Sequence, residues 1–288
     1  KAMEVVSATK MRKSQEFAIR ARPYAAASLE MLKNLFSRTL VLPSLLQARP
    51  VKISLLLVIT SDKGLAGAFN ANILKKAESW LENKKRSGAS YMLLTLGKKS
   101  RDYFERRKAP SAGSFWGFGD YSTLEQTLPV AQTILDGYLL GAFDEVEVVY
   151  TSFRTTLQQE AVLKKVLPVT KEGIEDMVAG ILPERGRFAG TSRYTIHDTR
   201  YTYEYKFEPS AGEILNALVP QLLRMHIHHM ILESNASEHS ARMVAMKSAS
   251  DNARDLISEL TLSFNKMRQA SITRELTEIT AGKEALGD

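Results

Sequence analysis

The last third of the chain contains one very long stretch that favours a helix throughout. From Gln221 to Ala281, 61 residues pass without a single glycine or proline. At a rise of about 1.5 Å per residue, such a helix would be roughly 90 Å long. Helices of compact domains are usually three or four turns long, so we expect a rod that projects beyond the rest of the protein.

The start of this helix carries a capping signal and a proline. Ser210 follows Pro209 and has Glu213 three residues later, a pattern typical of a capping box. Pro220 lies further along and lacks a backbone donor, so we expect it to kink the helix or to separate its first two turns.

The apolar residues of the rod form only a narrow stripe. Large side chains recur at Leu256, Leu260, Phe264 and Met267, at steps of four, four and three residues. Upstream, alanines take the corresponding places (Ala241, Ala245, Ala249, Ala253). A narrow stripe with small residues favours a two-helix coiled coil over a helix that lies on a sheet. The amino-terminal segment 1–42 also has helical apolar spacing and would be the partner, paired antiparallel.

The middle of the chain alternates between strand and helix patterns. The continuous apolar run at 52–60 predicts a strand buried on both faces, and 91–96 and 145–153 are predicted to be the second and third strands. Helices are expected between and after them, at about 70–85, 98–108 and 122–141. Segment 110–121 is expected to be a loop with one short strand, 161–169 and 201–207 are further strand candidates, and 171–198 shows no convincing element. This alternation predicts a Rossmann-like α/β domain with a mainly parallel sheet.

The predicted fold class is therefore α/β, with a long antiparallel coiled coil of the two terminal helices. The expected parts are an amino-terminal coiled-coil helix (1–48), the α/β globular domain (49–208) and the long carboxyl-terminal coiled-coil helix (209–288).

The charge balance suggests an acidic partner. The net charge is +7 and the isoelectric point is near 9.4, which suits nucleic acid, an anionic membrane surface or an acidic protein face. The positive charge is spread along the chain, so a single nucleic-acid groove is not indicated. The longest apolar run, 53–60, is too short to cross a bilayer. The absence of cysteine excludes disulfides, thiolate metal sites and a cysteine nucleophile.

Two sequence features are candidates for a ligand-binding or metal site. The turn 61–67 (SDKGLAG) follows a buried strand, as phosphate loops do, but its spacing fits neither GxxxxGK[ST] nor GxGxxG. His226, His228 and His229 cluster near the start of the rod without the further ligands that a metal site needs, and we interpret them as polar residues of a helix surface. We predict no catalytic residue, no metal site and no cofactor.

Four blocks of sequence resemble the gamma subunit family of rotary F-type ATP synthases. They are residues 1–11 (KAMEVVSATKM), 61–67 (SDKGLAG), 236–246 (ASEHSARMVAM) and 265–279 (NKMRQASITRELTEI). Their order and spacing match, and the resemblance extends over essentially the whole chain.

The resemblance implies a non-catalytic central rotor shaft. Its terminal helices would form an antiparallel coiled coil inside the hexamer of alpha and beta subunits, and the α/β domain would hold the epsilon subunit and sit on the ring of c subunits. Proton flow through the ring would turn the shaft, which would drive ATP synthesis or hydrolysis in the hexamer. The shaft would be present in one copy per complex.

The resemblance also assigns roles to particular residues. Arg268, Gln269, Thr273 and Glu275 match positions that bind the beta subunits. Met3 and Lys10 match contacts between the shaft and the hexamer. Lys63, Gly64 and Gly67 match the turn at the foot.

The resemblance also implies a location, whereas the alternative functions come from the charge and the glycine turn. A peripheral protein on the cytoplasmic side of a bacterial inner membrane is expected, with the matrix side of the mitochondrial inner membrane as the alternative. The chloroplast insertion that carries regulatory cysteines is absent, which favours a bacterial source. A basic helical-arm adaptor or nucleic-acid-binding protein remains the second functional hypothesis, and a nucleotide-binding enzyme with a phosphate at 64–67 is the third.

Overall fold

A computed structural model describes residues 2–20, 31, 35, 43–118, 121–156, 158–170, 208, 210–285 and 287. In chain order its elements are α1 (Ala2–Arg20), β1 (Ile53–Ile59), α2 (Phe69–Arg86), β2 (Ser90–Leu96), α3 (Lys98–Arg106), β3 (Ser111–Phe115), α4 (Leu124–Leu139), β4 (Glu145–Phe153), β5 (Gln159–Leu167) and α5 (Ala211–Ala285). In this described part, no helix is both long and apolar enough to span a membrane.

The sheet confirms the predicted parallel arrangement. Its strand order is β3-β2-β1-β4-β5, and the pairs β3–β2, β2–β1 and β1–β4 are parallel. The fifth strand, β5, pairs antiparallel with β4, as a short connection between neighbouring strands requires. The predicted strand at 201–207 and segment 171–198 lie outside the described residues.

Helices cover both faces of the sheet. On one face α2 packs Ile73, Ala77 and Trp80 against Leu56 and Val58 of β1. On the other face α4 and the first third of α5 pack against the alternate residues of β1 and β4. Because every central strand is buried on both sides, β1 is a continuous apolar run rather than an alternating one.

The first third of α5 therefore lies on the sheet, which the narrow-stripe interpretation did not predict. Its buried residues recur every three or four positions and share one core with β1, β4 and α4 (Leu215, Val219, Leu223, Ile227, Met230, Ile231). Each such fully buried aliphatic side chain contributes about 2 kcal/mol to stability. The sequence pattern concealed this contact because the stripe was judged on the residues beyond 240.

The long helix is continuous over 75 residues, a length of about 110 Å. Ser210 accepts a hydrogen bond from the Glu213 N–H at 3.2 Å and donates its hydroxyl to Glu213 Oε1 at 3.0 Å, so the predicted helix start is confirmed. Pro220 lies inside the helix without ending it, and the predicted separation of the first turns is wrong. The proline ring removes one hydrogen bond, which the surrounding core contacts offset.

The helix α1 packs against α5, as predicted for the two terminal helices. Lys13 lies over the Tyr121 ring, whose neighbour Ser122 binds Asn235 of α5, whereas Leu35 belongs to the core that holds the beginning of α5. This order along the two helices is that of an antiparallel pair. The predicted seam residues Leu256, Leu260, Phe264 and Met267 are instead exposed, so none of the described residues covers them.

Candidate functional site

The long helix is enclosed on all sides over six turns. From Leu222 to Met243 no residue of α5 is exposed. A helix that lies on a sheet keeps one exposed face, so this stretch is surrounded rather than merely covered. Beyond Asp251 the pattern reverses, and residues 252–285 are exposed except for the half-buried Asn265.

One side of the enclosed stretch is held by the carboxyl end of β4. The buried carboxyl group of Glu233 accepts hydrogen bonds from Ser152 Oγ at 2.8 Å and from the Phe153 N–H at 3.0 Å. The Tyr150 hydroxyl also binds it. Burial raises the pKa of Glu233, while these donors oppose the rise. Three groups of one strand therefore converge on a single side chain of the helix.

Two serines extend this contact along the same face. Ser237 Oγ donates to the Thr151 carbonyl at 3.2 Å, and Ser240 Oγ donates to the Thr156 carbonyl at 2.7 Å. Positions 233, 237 and 240 are four and three residues apart, so they share one face of a helix. Small side chains here allow the helix backbone to approach the strand end closely.

The opposite side is held by two other segments. Asn235 Nδ2 donates to Ser122 Oγ at 2.9 Å. Arg242 Nη2 donates to the Gly64 carbonyl at 3.2 Å and to Glu238 Oε1 at 2.6 Å. The side chains of residues two apart on a helix point about 200° apart around its axis, so Asn235 faces away from Glu233. Arg242 lies seven residues after Asn235 and therefore on the same face as Asn235.

We call these domain residues the collar. They are grouped at the carboxyl-terminal edge of the sheet, around residues 233–242 of α5 (Gly64, Ser122, Thr151, Ser152, Phe153, Thr156). In an open α/β sheet this edge is where ligands usually bind. Here the chain's own helix occupies it.

The turn 61–67 forms one wall of the collar and is itself rigidly held. Asp62 accepts hydrogen bonds from the N–H groups of Lys98 and Gly117, both at 2.8 Å, and the Ser61 N–H donates to Asn70 Oδ1 at 3.0 Å. Lys63, Gly64 and Gly67 are exposed. The turn therefore connects β1 with the segments after β2 and β3, and it presents Gly64 to Arg242.

A cavity of about 50 Å³ lies behind this turn, lined by Thr60, Asp62, Gly97, Phe118 and Glu238 among others. Nucleotide and drug-sized ligands need pockets of roughly 300 Å³ or more. Gly97 closes one side at a φ of 101°, and a Cβ there would come within 2.2 Å of the Thr60 carbonyl oxygen. The cavity has room for small molecules of solvent but not for a nucleotide.

The histidines near the start of α5 are buried, so their interpretation as surface residues is wrong. His226 and His229 are 4% and 6% exposed, because α5 is enclosed at this level. Burial lowers the pKa of His226 to about 3 and that of His228 to about 4. His228 Nδ1 lies 2.9 Å from Thr127 Oγ1 of α4. Among the described residues no group of three or more His, Cys, Asp or Glu is placed to hold a metal ion.

The residues predicted to bind beta subunits all lie on the exposed end of α5. Arg268, Gln269, Thr273 and Glu275 are exposed. Thr273 Oγ1 donates back to the Gln269 carbonyl at 2.9 Å, and Glu275 accepts from Ser271 at 3.2 Å. Gln269 and Thr273 share one face, and Arg268 and Glu275 share another. The structure therefore presents them on two faces of a bare helix.

The other predicted contacts are distributed along the molecule. Met3 is 57% exposed near the start of α1, and Lys10 is half-buried on the same helix. Lys63, Gly64 and Gly67 lie in the collar turn rather than near the projecting end. Large apolar side chains are exposed beside the predicted beta-binding residues (Leu256, Ile257, Leu260, Leu262, Phe264, Met267, Ile272, Leu276, Ile279). An exposed apolar surface of this extent indicates a contact surface.

The sequence did not show which residues of α5 contact the collar. In the sequence, Glu238 and Arg242 resemble charges of a solvated helix face, but their side chains are only 14% and 12% exposed. One signal was available: small residues recur from Ser234 to Ser240, where a solvated helix would carry long charged side chains. Glu233 directly precedes this stretch, at the place where the end of β4 donates hydrogen bonds to it.

Comparisons with known proteins agree over the full chain. A family model described as ATP synthase matches residues 1–286. The ATP synthase gamma chain of Roseiflexus castenholzii is 38% identical over 293 residues, which is 100% of this chain and 92% of the relative. That of Chlorobium phaeobacteroides is 40% identical over 292 residues, covering 99% and 92%.

Solved structures show the same fold. The central stalk and c-ring structure of the Tetrahymena thermophila mitochondrial ATP synthase matches with a TM-score of 0.58 at 22% identity, covering 86% of this chain and 98% of that one. A chain of the Euglena gracilis mitochondrial ATP synthase matches with a TM-score of 0.55 at 16% identity, covering 99% and 95%.

Proposed function

The chain belongs to the ATP synthase gamma chain family, and from that premise we propose that it is the central rotor shaft of the enzyme's catalytic sector. The shaft couples proton flow through a membrane ring to ATP synthesis or hydrolysis in a hexamer of alpha and beta subunits. It has no catalytic site of its own, and it acts in one copy per complex.

The observation that carries this proposal is the division of α5 into two parts. Residues 222–243 are enclosed by the domain, and residues 252–285 are bare over about 50 Å. A rotor shaft needs one end that is fixed to a globular domain and another that is enclosed by the subunits on which it acts. The exposed apolar and polar residues of the bare end supply the contact surface for those subunits.

The partners follow from the two ends. Alpha and beta subunits enclose the bare end, with Arg268, Gln269, Thr273 and Glu275 against beta subunits. The epsilon subunit and the ring of c subunits bind the domain. The net charge of +7 complements acidic subunit faces and guides register more than it adds affinity. The complex holds the chain at the cytoplasmic side of a bacterial membrane.

Reconstitution tests the proposal. The purified chain is mixed with alpha and beta subunits, and ATP hydrolysis is measured for the chain alone and for the complex. We expect no turnover by the chain alone and a stable complex of all three. Turnover by the chain alone, or failure to assemble, would overturn the proposal.

The second hypothesis, a basic helical-arm adaptor, is tested in parallel by titration with duplex DNA at several salt concentrations. Tight binding that falls steeply with salt, together with no complex with alpha and beta subunits, would favour it.

A further inference from the structure

We propose that torque passes between the long helix and the domain at the collar, with Glu233 as the principal positioning residue. This inference rests on the proposed shaft function. It assigns the transfer of torque to the hydrogen bonds around residues 233–242, and not to the larger apolar contact nearer the start of α5.

The first argument concerns direction. Apolar packing between α5 and the sheet is non-directional, so it resists separation of the two surfaces more than it resists rotation of the helix about its axis. Hydrogen bonds weaken steeply when their angles change. The bonds from Ser152 and Phe153 to Glu233, and from Ser237 to Thr151, therefore fix the angular position of the helix.

The second argument concerns the two sides of the helix. Glu233, Ser237 and Ser240 bind the end of β4 and the turn after it, whereas Asn235 and Arg242 bind Ser122 and Gly64 on the opposite face. A rotation in either direction must break bonds on both sides at once. A helix that is hydrogen-bonded on one face alone could instead rotate by breaking the bonds on that face only.

The third argument concerns order along the helix. Torque applied to residues 252–285 travels down α5 and meets the collar at Arg242 before it reaches the apolar core at Ile231. The collar is thus the first part of the domain that can resist rotation of α5. The apolar core nearer the start of α5 carries only the torque that the collar does not resist.

Glu233 forms more hydrogen bonds with β4 than Ser237 or Ser240 does with the domain backbone. Three donors of one strand converge on its carboxyl group, and burial of a carboxyl group is costly unless such partners are present. Loss of each of these hydrogen bonds lowers the ratio of chains with a fixed helix to chains with a rotated helix by about fivefold.

The test uses the complete enzyme in sealed vesicles, with ATP hydrolysis and proton pumping measured together. The variants are Glu233→Ala, Glu233→Gln and the double variant Ser237→Ala with Ser240→Ala. Arg224→Ala is the matched control, because the half-buried Arg224 also binds the domain, through Gln132 Oε1 at 3.1 Å, but nearer the start of α5 than the collar. Complex assembly is checked for each variant before activity is measured.

We expect the collar variants to hydrolyse ATP while pumping fewer protons per ATP, with the loss largest for Glu233→Ala. Glu233→Gln keeps an acceptor oxygen and should lose less, and Arg224→Ala should pump as the unmodified enzyme does. Equal pumping ratios in all variants would overturn the inference. If Glu233→Ala fails to fold, the serine double variant decides, since it removes only two hydroxyl groups. Failure of the unmodified chain to assemble or pump would instead refute the shaft function.

Discussion

The guanidinium group of Arg242 donates two N–H groups, from Nε and Nη2, to the carbonyl oxygen of Gly64 at 3.3 and 3.2 Å. The bond joins positions that are 178 residues apart, one on the long helix and one on the turn after the first strand. Glu238 accepts from the same guanidinium group at 2.6 Å. The carboxylate fixes the orientation of the arginine, so the helix reaches the turn through a side chain that is already positioned.

Removal of this arginine should weaken the folded chain. Arg242→Ala removes the guanidinium group that binds both the Gly64 carbonyl and Glu238, so we expect a loss of about 2 kcal/mol in the free energy of unfolding. Arg242→Lys keeps the charge but cannot bind both acceptors with a planar fork, and should lose less. Urea unfolding of the isolated chain measures both. A wild-type midpoint for Arg242→Ala would show that the contact is energetically neutral.

Two glycines near the collar should respond differently to the same substitution. Gly97 has a φ of 101°, and a Cβ there would lie 2.2 Å from the Thr60 carbonyl oxygen, whereas a Cβ at Gly64 would meet nothing within 4 Å. We expect Gly97→Ala to cost about 3 kcal/mol or to prevent folding, and Gly64→Ala to change stability by less than about 0.5 kcal/mol. Thermal unfolding compares the pair. Similar melting temperatures would contradict the close approach at Gly97.

Acidification should destabilise the domain through its buried histidines. The pKa of His226 is lowered to about 3, mainly by burial, while the unfolded chain keeps a value near 6.5. Below pH 6.5 the unfolded chain therefore binds protons that the folded chain does not. The free energy of unfolding should fall by about 1.4 kcal/mol per pH unit per buried histidine between pH 6.5 and the folded value.

The measurement is urea unfolding of the isolated chain at pH 7 and at pH 5, with His226→Leu beside the unmodified chain. The variant should show a smaller difference between the two pH values. An identical pH dependence would mean that His226 takes up its proton in the folded chain as well.

Arg268→Ala should affect the assembled enzyme and not the isolated chain. Arg268 is exposed on the bare end of α5, so its removal should change the stability of the isolated chain by less than about 0.5 kcal/mol. In the reconstituted complex we expect lower coupled turnover, because the proposed forked hydrogen bond of Arg268 to a beta-subunit acceptor would be lost. Arg274→Ala, also exposed on this end, is the comparison. Unchanged turnover for Arg268→Ala would remove that residue from the proposed contact.

The sheet and its helices could be predicted because their signals are local. The apolar runs of β1 and β4 and the Ser210 cap each lie within a few residues, and the strands at 53–59 and 145–153 appear where the pattern placed them. The polarity of β5 also follows from its short connection to β4. The existence of the long helix followed from the absence of breakers alone.

The collar could not be predicted because it depends on partners far apart in sequence. Nothing near Glu233 shows that Ser152 and Phe153 will donate to it from about 80 positions away. The same limitation placed His226 on the surface, since a histidine pattern does not show which helices will surround it. The exposed seam at 256–267 is a different case: its stripe is real, but no described residue packs on it.

The bare end of α5 also determines how the free chain would be recognised and removed. A helix with no packed face depends on its backbone hydrogen bonds and its propensity alone, so its last turns open most readily. Proteases that begin at such frayed ends would trim residues 252–285 in unassembled copies and spare those enclosed by partners. In a crude extract, the proportion of chains that keep an intact carboxyl terminus therefore reports the fraction of the protein that has entered its complex.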